Sequence, residues 1–280
     1  MSEGLAALIL LIAHLLGDYY FQPSVLAEKK KESYVWLVLH ALIYAAVVGV
    51  AGWALNVEWW LILAAAVSHW LIDTIKWKLQ NKPLNKGMLF SLDQAGHLLF
   101  LFLILRLSSS LTVNPRLLGV SDDVWRWIAC LLLIGKPANI SLDCLFERFA
   151  QAAKQNQART DRANELSESL RGGAARKLTP KGGETEGAGA TIGIFERVLT
   201  VLFASVGQYG AMGLLMAAKS MARYDKISKS PAFAEYYLIG TLYSILFALA
   251  AYLLVFKVFL PETAVIDPMP ILLLTPSPLP

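Results

Sequence analysis

The stretch Gly4-Leu-Ala-Ala-Leu-Ile-Leu-Leu-Ile-Ala-His14-Leu-Leu-Gly-Asp18-Tyr-Tyr-Phe21 decides what kind of fold this chain can adopt. It is apolar apart from His14 and Asp18, and it approaches the length of about 20 residues that a helix needs to cross a bilayer. It lacks the basic start and the small-residue cleavage site of a secretory signal peptide. We therefore expect a permanent membrane helix that carries a histidine and an aspartate on one face, because residues four apart share a helix face.

The whole chain shares this apolar character. Of its 280 residues, 56% are hydrophobic and 16% are charged, and its mean hydropathy is +0.51. Soluble domains carry about 25% charged residues, so an ordinary soluble globule is excluded, as are disorder, coiled coil and collagen. The net charge of +4 fits the excess of Lys and Arg in the cytoplasmic loops of membrane proteins. No basic stretch interleaved with aromatic residues indicates binding to nucleic acid.

Apolar segments of membrane-spanning length recur along the chain. Six of them cover residues 4–21, 33–55, 57–77, 88–107, 192–218 and 235–259. A seventh, 122–142, is weaker because Gly135-Lys136-Pro137 interrupts it, and it either spans with a kink or forms a half-helix. The predicted fold class is all-α, a polytopic transmembrane helix bundle with six or seven spans.

The polar segments divide the chain into five parts. We predict a four-helix membrane core over 1–107, a connection with the weak fifth segment over 108–142, a polar basic cytoplasmic loop over 143–191, a membrane helix hairpin over 192–259 and a disordered tail over 260–280. Within the loop, 147–171 suits a surface helix and 172–189 suits a glycine-rich flexible linker.

Lysine-rich loops set the expected orientation. The 22–33 and 78–87 loops each hold three lysines, which places both in the cytoplasm and the N-terminus outside. The 219–234 loop creates a conflict, because seven simple spans place it outside although it carries four basic residues. If the weak fifth segment does not span, this loop returns to the cytoplasm, and the sequence leaves both arrangements open.

All four histidines lie inside predicted membrane helices, and three of them lie four residues from an aspartate. Counted from the lysine-rich loops, these groups fall in one leaflet: Asp18 lies eleven residues before Lys29, and Asp93 lies seven after Lys86. Antiparallel helices therefore bring them together. The predicted pocket is lined by His14, Asp18, His40, His69, Asp73, Asp93 and His97.

This concentration of polar groups favours a metal site. A charge at the bilayer centre costs at least about 2.5–3.5 kcal/mol, and three crowded carboxylates repel one another. A divalent cation removes both problems, and imidazole with carboxylate suits zinc, our first choice, as well as manganese or iron. The seven groups would serve two metals, or one metal with a second layer of partners. A proton relay and a polar network that merely joins the helices are the alternatives.

Four short motifs resemble a known family: His14-Leu-Leu-Gly-Asp18, Leu39-His40-Ala-Leu-Ile-Tyr44, Ser68-His69-Trp-Leu-Ile-Asp73 and Leu92-Asp93-Gln94-Ala-Gly-His97. They look like the bacterial integral membrane family that carries domain of unknown function 3307. Gly193-Ile-Phe-Glu196-Arg197 and Ala217-Ala-Lys219-Ser220 extend the likeness, which covers roughly 5–107 and 190–252. The resemblance implies a multi-pass protein of the bacterial inner membrane and supplies no activity. Its H-x-x-x-D pattern is similar to that of inner-membrane proteins described as metal-dependent hydrolases.

The expected function follows from the metal site. The chain contains no nucleophile elbow, phosphate-binding loop or dinucleotide-binding glycine pattern, so metal-activated water is the expected nucleophile. We expect hydrolysis of a lipid-linked phosphate or ester at the cytoplasmic leaflet, with membrane lipid as the partner. An aspartate that is not a ligand, whether Asp18, Asp73 or Asp93, would act as the general base. Arg197 and Lys219 would hold the head group of the substrate.

Two other functions use the same residues differently. A metal-ion or proton transporter would place the histidines and aspartates along a path, but no second acidic cluster marks the far side of the membrane. A non-catalytic membrane partner protein would depend instead on the basic segment 143–190.

Overall fold

Helices account for the regular structure of the chain. A computed structural model describes residues 3–82, 85–108, 119–170 and 187–259, and these residues contain no strand. The α-helices are α1 Glu3–Leu15, α2 Ser24–Glu32, α3 Tyr34–Ala54, α4 Trp59–Leu79, α5 Lys86–Leu107, α6 Asp122–Ile134, α7 Lys136–Leu170, α8 Ala188–Ser205, α9 Tyr209–Ala222, α10 Tyr224–Lys229 and α11 Pro231–Leu253. Two π-helical segments, Leu16–Tyr20 and Leu254–Phe259, continue α1 and α11. The predicted all-α class is confirmed.

Six helical stretches within the described residues are long and apolar enough to cross a membrane, which confirms a polytopic membrane bundle. They are Glu3–Tyr20, Tyr34–Ala54, Lys86–Leu107, Asp122–Glu147, Ala188–Ser205 and Pro231–Val258. The predicted span 57–77 is not among them, although it forms the 21-residue helix α4. Its tryptophans, His69, Asp73 and Lys76 dilute the apolar residues, and α4 packs between α3 and α5.

The first four long helices, α1, α3, α4 and α5, run antiparallel in turn. At one end, which we call the lysine-rich end, Trp77 near the end of α4 donates to the carbonyl of Lys31 in the last turn of α2, at 3.2 Å. At the opposite end, the Ser108 hydroxyl after α5 donates to Glu58 before α4, at 2.6 Å. Apolar side chains fill the space between the helices toward that opposite end, among them Ile9, Val48, Leu61 and Leu101.

The weak fifth segment, predicted over 122–142, contains a kink between two helices. A span with a kink is one of the two predicted arrangements. Helix α6 ends at Ile134 and α7 begins at Lys136, because Gly135 adopts a ψ of −114° that no helix continues through. The Tyr20 hydroxyl sits in the break and donates to the carbonyl of Leu132 at 2.8 Å. Helix α7 then extends to Leu170, through a non-helical residue at Phe146. Residues 171–186, which include most of the linker predicted over 172–189, lie outside the described residues, as does the predicted tail 260–280.

The predicted single span 192–218 is wrong, because the chain reverses inside it. Helix α8 ends at Ser205, Gly207 takes a positive φ of 71°, and α9 begins at Tyr209. The Lys219 ammonium on α9 lies 2.6 Å from the Glu196 carboxylate on α8. Because the two residues stand at similar numbers of residues before and after the turn, the two helices are antiparallel. The turn contains Gln208 but no charged residue, and Gly207, which tolerates positive φ, is its main mark in the sequence.

This reversal resolves the conflict over the 219–234 loop. Because α9 returns alongside α8, the loop lies at the end of the bundle where α8 begins. Pairing between Lys86, at the start of α5, and Glu147 on α7, at 2.8 Å, shows that α7 reaches the lysine-rich end before α8 begins. All basic loops of the described chain therefore share one end of the bundle, as positive residues should.

Site-directed labelling in sealed vesicles checks this arrangement. Cysteines placed at the exposed positions Glu32 and Ser228, in a variant without Cys130 and Cys144, should react with an impermeant maleimide from the same side. A cysteine at Gln208, in the α8–α9 turn, should react only from the other side. Labelling of Ser228→Cys together with Gln208→Cys would contradict the hairpin.

Candidate metal centre

Four helices contribute buried polar side chains to one place inside the bundle. The chain brings together His14 and Asp18 near the end of α1, His40 from α3, His69 and Asp73 from α4, and Asp93 and His97 from α5. All seven are at least 90% buried. We call this set the His/Asp cluster. Its existence agrees with the depth argument from sequence, which placed every member at the same level of one leaflet.

A π-helical turn presents Asp18 to the cluster. Residues Leu16–Tyr20 leave the α-helical hydrogen-bond pattern, and such bulges frequently occur at functional sites. Asp18 Oδ1 lies 3.3 Å from His40 Nε2 and 3.6 Å from His69 Nε2. One carboxylate oxygen of α1 therefore faces imidazole nitrogens from two other helices.

Stacked rings fix the orientation of His69. The Tyr44 ring lies against one face, with centroids 3.5 Å apart and planes 16° apart. The His97 ring lies nearly parallel to His69 as well, with centroids 4.4 Å apart and planes 20° apart. Held by these two rings, His69 places its Nε2 3.6 Å from Asp18 Oδ1.

Several ligand-type atoms of the cluster have no hydrogen-bond partner within the described structure. They are both ring nitrogens of His40 and His69, Nε2 of His97 and Oδ1 of Asp93. Buried polar atoms are almost always hydrogen-bonded, and unsatisfied ones are costly. So many orphaned nitrogen and oxygen atoms at one spot are what a site for an ion or for bound water requires.

Two lysines at the lysine-rich end pair with the cluster. Lys30 Nζ lies 3.3 Å from Asp73 Oδ2, and Lys76 Nζ lies 2.6 Å from Asp93 Oδ2. Their side chains are 17% and 32% exposed, whereas the two carboxylates are 2% exposed. With neutral histidines, three carboxylates and two ammonium groups leave one uncompensated negative charge.

Gln94 ties three members of the cluster together. Its amide nitrogen donates to Asp18 at 3.0 Å and to Asp93 at 3.1 Å, and its amide oxygen lies 3.4 Å from His14 Nε2. The other nitrogen of His14 lies 3.3 Å from the Tyr44 hydroxyl. Both nitrogens of His14 are thus occupied, which sets this residue apart from the other predicted ligands.

Three sets of side chains have the geometry to hold a metal ion. Each set contributes ligand atoms that lie within 4.8 Å of one another: Asp18 with His69 and His97, His40 with His69 and Asp73, and Asp73 with Asp93 and His97. Tetrahedral ligands 2.0–2.1 Å from zinc stand about 3.3 Å from each other. The distance of 3.6 Å between Asp18 Oδ1 and His69 Nε2, which belong to the first set, is close to that spacing.

The two predicted head-group residues lie elsewhere. Arg197 and Lys219 line a cavity between α7, α8, α9 and α11, and no residue that lines it belongs to the His/Asp cluster. Arg197 is buried, and its guanidinium donates to the carbonyl of Ile134 at 2.6 Å and to Asn139 Oδ1 at 2.6 Å. It thereby satisfies backbone that the break between α6 and α7 leaves without partners.

Four residues that contact the cluster were not predicted from the sequence to do so: Lys30, Tyr44, Lys76 and Gln94. Lys30 counted there only as one of the three lysines in the 22–33 loop. The spacing of Lys76 carried a signal, because it follows Asp73 by three residues and so lies on the same helix face. The partner it actually takes, Asp93, belongs to the next helix and cannot be read from spacing.

Comparison with known proteins adds one finding. Residues 7–121 match the family described as protein of unknown function (DUF3307), which confirms the resemblance noted from the four motifs. The match contains most of α1, all of α2 to α5 and every residue of the His/Asp cluster, and it ends before the motifs of the second half. No curated protein and no solved structure matches the chain.

A single methyl group placed behind Tyr44 should disturb the centre. A Cβ on Gly17 would lie 2.9 Å from Tyr44 Cδ2, so Gly17→Ala must push this ring out of the stack on His69. Overpacking of this kind costs about 1–3 kcal/mol. We expect a lower free energy of unfolding in detergent, measured by denaturant titration.

The matched control is Gly49→Ala on α3, where an added Cβ meets nothing within 4 Å. It should leave the free energy of unfolding unchanged or raise it by up to about 1 kcal/mol, because alanine favours helix. Equal behaviour of the two variants would show that Tyr44 is not held tightly between α1 and His69.

Proposed function

We propose that this chain is a membrane-embedded, metal-dependent hydrolase that acts on a lipid-linked phosphate or ester at the lysine-rich end of the bundle. We also propose that the membrane is the bacterial inner membrane, with that end in the cytoplasm. The observation that carries the proposal is the set of orphaned nitrogen and oxygen atoms in the buried His/Asp cluster, directly below Lys30 and Lys76.

The ligand set we favour is Asp18, His69 and His97, with zinc as the ion. These residues come from three helices, and their ligand atoms lie within 4.8 Å of one another. Three protein ligands leave one position open, which is the pattern of catalytic zinc sites and differs from the closed four-ligand pattern of structural ones. A zinc ion bound there supplies a water of lowered pKa and polarises the substrate.

Asp93 is the best placed general base. Its Oδ2 accepts hydrogen bonds from Lys76 and Gln94, whereas its Oδ1 has no hydrogen-bond partner within the described structure. Oδ1 lies 3.6 Å from Nε2 of His97, a proposed ligand. It can therefore accept a proton beside the open position, while its other oxygen stays fixed by two donors.

His40 and Asp73 fit a supporting role in this arrangement. His40 Nε2 lies 3.3 Å from Asp18 Oδ1 and 3.3 Å from Asp73 Oδ2, so it stands between the two carboxylates at ion-pair distance without a hydrogen bond to either. Groups of this kind orient metal ligands and tune their basicity. If His40, His69 and Asp73 held the metal instead, Asp18 and His97 would take the supporting role. The metal would still lie in the same pocket.

The two lysines supply a reason to expect an anionic substrate. Lys30 and Lys76 lie between the cluster and the lysine-rich end, and both are partly exposed. Each ammonium group has three N–H donors, so it can donate to an arriving phosphate while it stays paired with its aspartate, and charge-assisted hydrogen bonds of this kind are strong. A lipid substrate reaches this level sideways from the bilayer, because the cluster lies near the membrane surface.

The packing beyond the cluster argues against the transport alternative. Toward the opposite end, α1, α3, α4 and α5 enclose an apolar core that includes Ile9, Val48, Leu61 and Leu101. A transported ion would have to cross several helical turns of hydrocarbon side chains. A buried site near one face of the membrane, with an apolar core beyond it, agrees better with hydrolysis than with passage of an ion.

Removal of the proposed base tests the function. Asp93→Asn keeps the size of the side chain but cannot accept a proton at neutral pH, so hydrolysis should fall by about a hundredfold or more. The assay measures phosphate or diacylglycerol release from vesicles that contain a phosphatidic acid, a polyprenyl diphosphate or a phosphatidylglycerol, with zinc added to purified protein.

Asp122→Asn, at an exposed carboxylate in the first turn of α6, is the matched control and should keep full activity. Zinc-dependent hydrolysis that Asp93→Asn leaves intact would remove Asp93 from the mechanism. A folded, zinc-loaded protein that hydrolyses no phosphate or ester lipid would contradict the proposed function.

A further inference from the structure

The second half of the chain encloses a cavity of its own. It has a volume of about 470 Å³ and lies among α7, α8, α9 and α11, toward the lysine-rich end. Apolar side chains such as Leu142, Ile192 and Phe233 form part of its wall. Its polar wall includes the guanidinium of Arg197, the ammonium group of Lys219 and several hydroxyls, together with Asn139, Arg223 and the carboxylates of Asp143 and Glu196.

A buried guanidinium without a counter-ion lies in the wall. Arg197 is 2% exposed, and its hydrogen bonds go to neutral acceptors: the carbonyls of Ile134 and Gly135, Ser244 Oγ and Asn139 Oδ1. Among the residues that the structure describes, no carboxylate lies within ion-pair distance of it. The adjacent Glu196 carboxylate is paired with Lys219 at 2.6 Å. Buried charges are normally paired, because an isolated one is costly.

One donor of Arg197 remains available on the side of the cavity. A guanidinium has five N–H donors, and the four hydrogen bonds above use four of them, one on Nη1. Gly193 lies next to Nη1, since a Cβ at that glycine would stand 3.2 Å from this nitrogen. Gly193 also lines the cavity, so the remaining N–H has room in front of it.

Two hydroxyl groups in the same wall have no hydrogen-bond partner within the described structure. They belong to Tyr237 and to Thr241, which is 6% exposed. Tyr237 also lies beside Lys219, whose ammonium nitrogen is 5.5 Å from the centre of its ring. Buried hydroxyls without partners are costly, so a ligand that accepts hydrogen bonds would satisfy them.

From these groups we infer that the cavity binds a phosphate-bearing anion, held by Arg197, Lys219 and the hydroxyls of Tyr237 and Thr241. The phosphate belongs either to a lipid head group or to a free phosphate compound, and the chemistry of recognition is the same. The apolar wall of the cavity and its position near the membrane surface suit a lipid. This site is separate from the His/Asp cluster and needs no metal.

Two substitutions disable the site without touching the contacts that hold the fold. Thr241→Val removes a hydroxyl that bonds to nothing in the protein, so the fold should lose no stability. Gly240→Leu fills the cavity, because a Cβ there meets nothing within 4 Å and Gly240 lines the wall. Gly213→Leu on α9 is the matched control, with the same open space and no place among the lining residues.

The test uses the full-length protein, purified in detergent and stripped of lipid. Native mass spectrometry measures retention of phosphatidylglycerol, which is anionic, against phosphatidylcholine, which has no net charge. A second arm measures binding of inorganic phosphate by calorimetry. Thr241→Val and Gly240→Leu should weaken binding roughly tenfold, the effect expected when a buried hydrogen bond to a charged group is lost. Gly213→Leu should bind as the parent does.

The two arms distinguish the sources of the phosphate. Preferential retention of phosphatidylglycerol that both site variants weaken roughly tenfold assigns a lipid head group. Binding of inorganic phosphate with the same pattern assigns a free phosphate compound. If the parent protein binds neither, or if both site variants bind as the parent does, the inference is overturned. Metal content is independent of this result, so failure here leaves the proposed hydrolase standing.

Discussion

Burial of three carboxylates inside an apolar bundle is the constraint on which the rest of the structure depends. Asp18, Asp73 and Asp93 each place a carboxylate oxygen within 4.8 Å of a ring nitrogen of His97, where no bulk water can screen their repulsion. Lys30 and Lys76 compensate two of the negative charges, and Gln94 holds two of the carboxylates by hydrogen bonds. The remaining negative charge and the orphaned nitrogens are what a cation would satisfy.

Backbone groups in the second half of the molecule also need partners within the protein. Inside a membrane, every break in a helix must find partners within the protein. The break at Gly135 is satisfied by Tyr20, which extends from the π-helical turn beside Asp18, and by the buried guanidinium of Arg197. This contact joins the bundle that contains the His/Asp cluster to the helices that enclose the second cavity. It explains why a charged side chain is placed at this depth on α8.

Sequence patterns predicted the fold class and the position of the cluster, because helix length and depth follow directly from residue counts. His69 and Asp93 could be placed in one leaflet without knowing any contact between helices. Patterns failed where one residue changes the path of the chain, as at Gly207, since apolar composition continues through the reversal. They also could not show that Lys76 pairs with Asp93 or that His14 is occupied, because both depend on packing between helices.

The measurement that tests the account most directly is the metal content of the detergent-purified protein, determined by elemental mass spectrometry after expression with zinc. The account predicts about one bound ion per chain in the parent, loss of that ion in His69→Ala and retention in His14→Ala, because His14 lies outside all three ligand sets. A folded parent protein that binds no divalent metal would contradict the account. Equal retention of the ion in both variants would show that it is bound somewhere other than the His/Asp cluster.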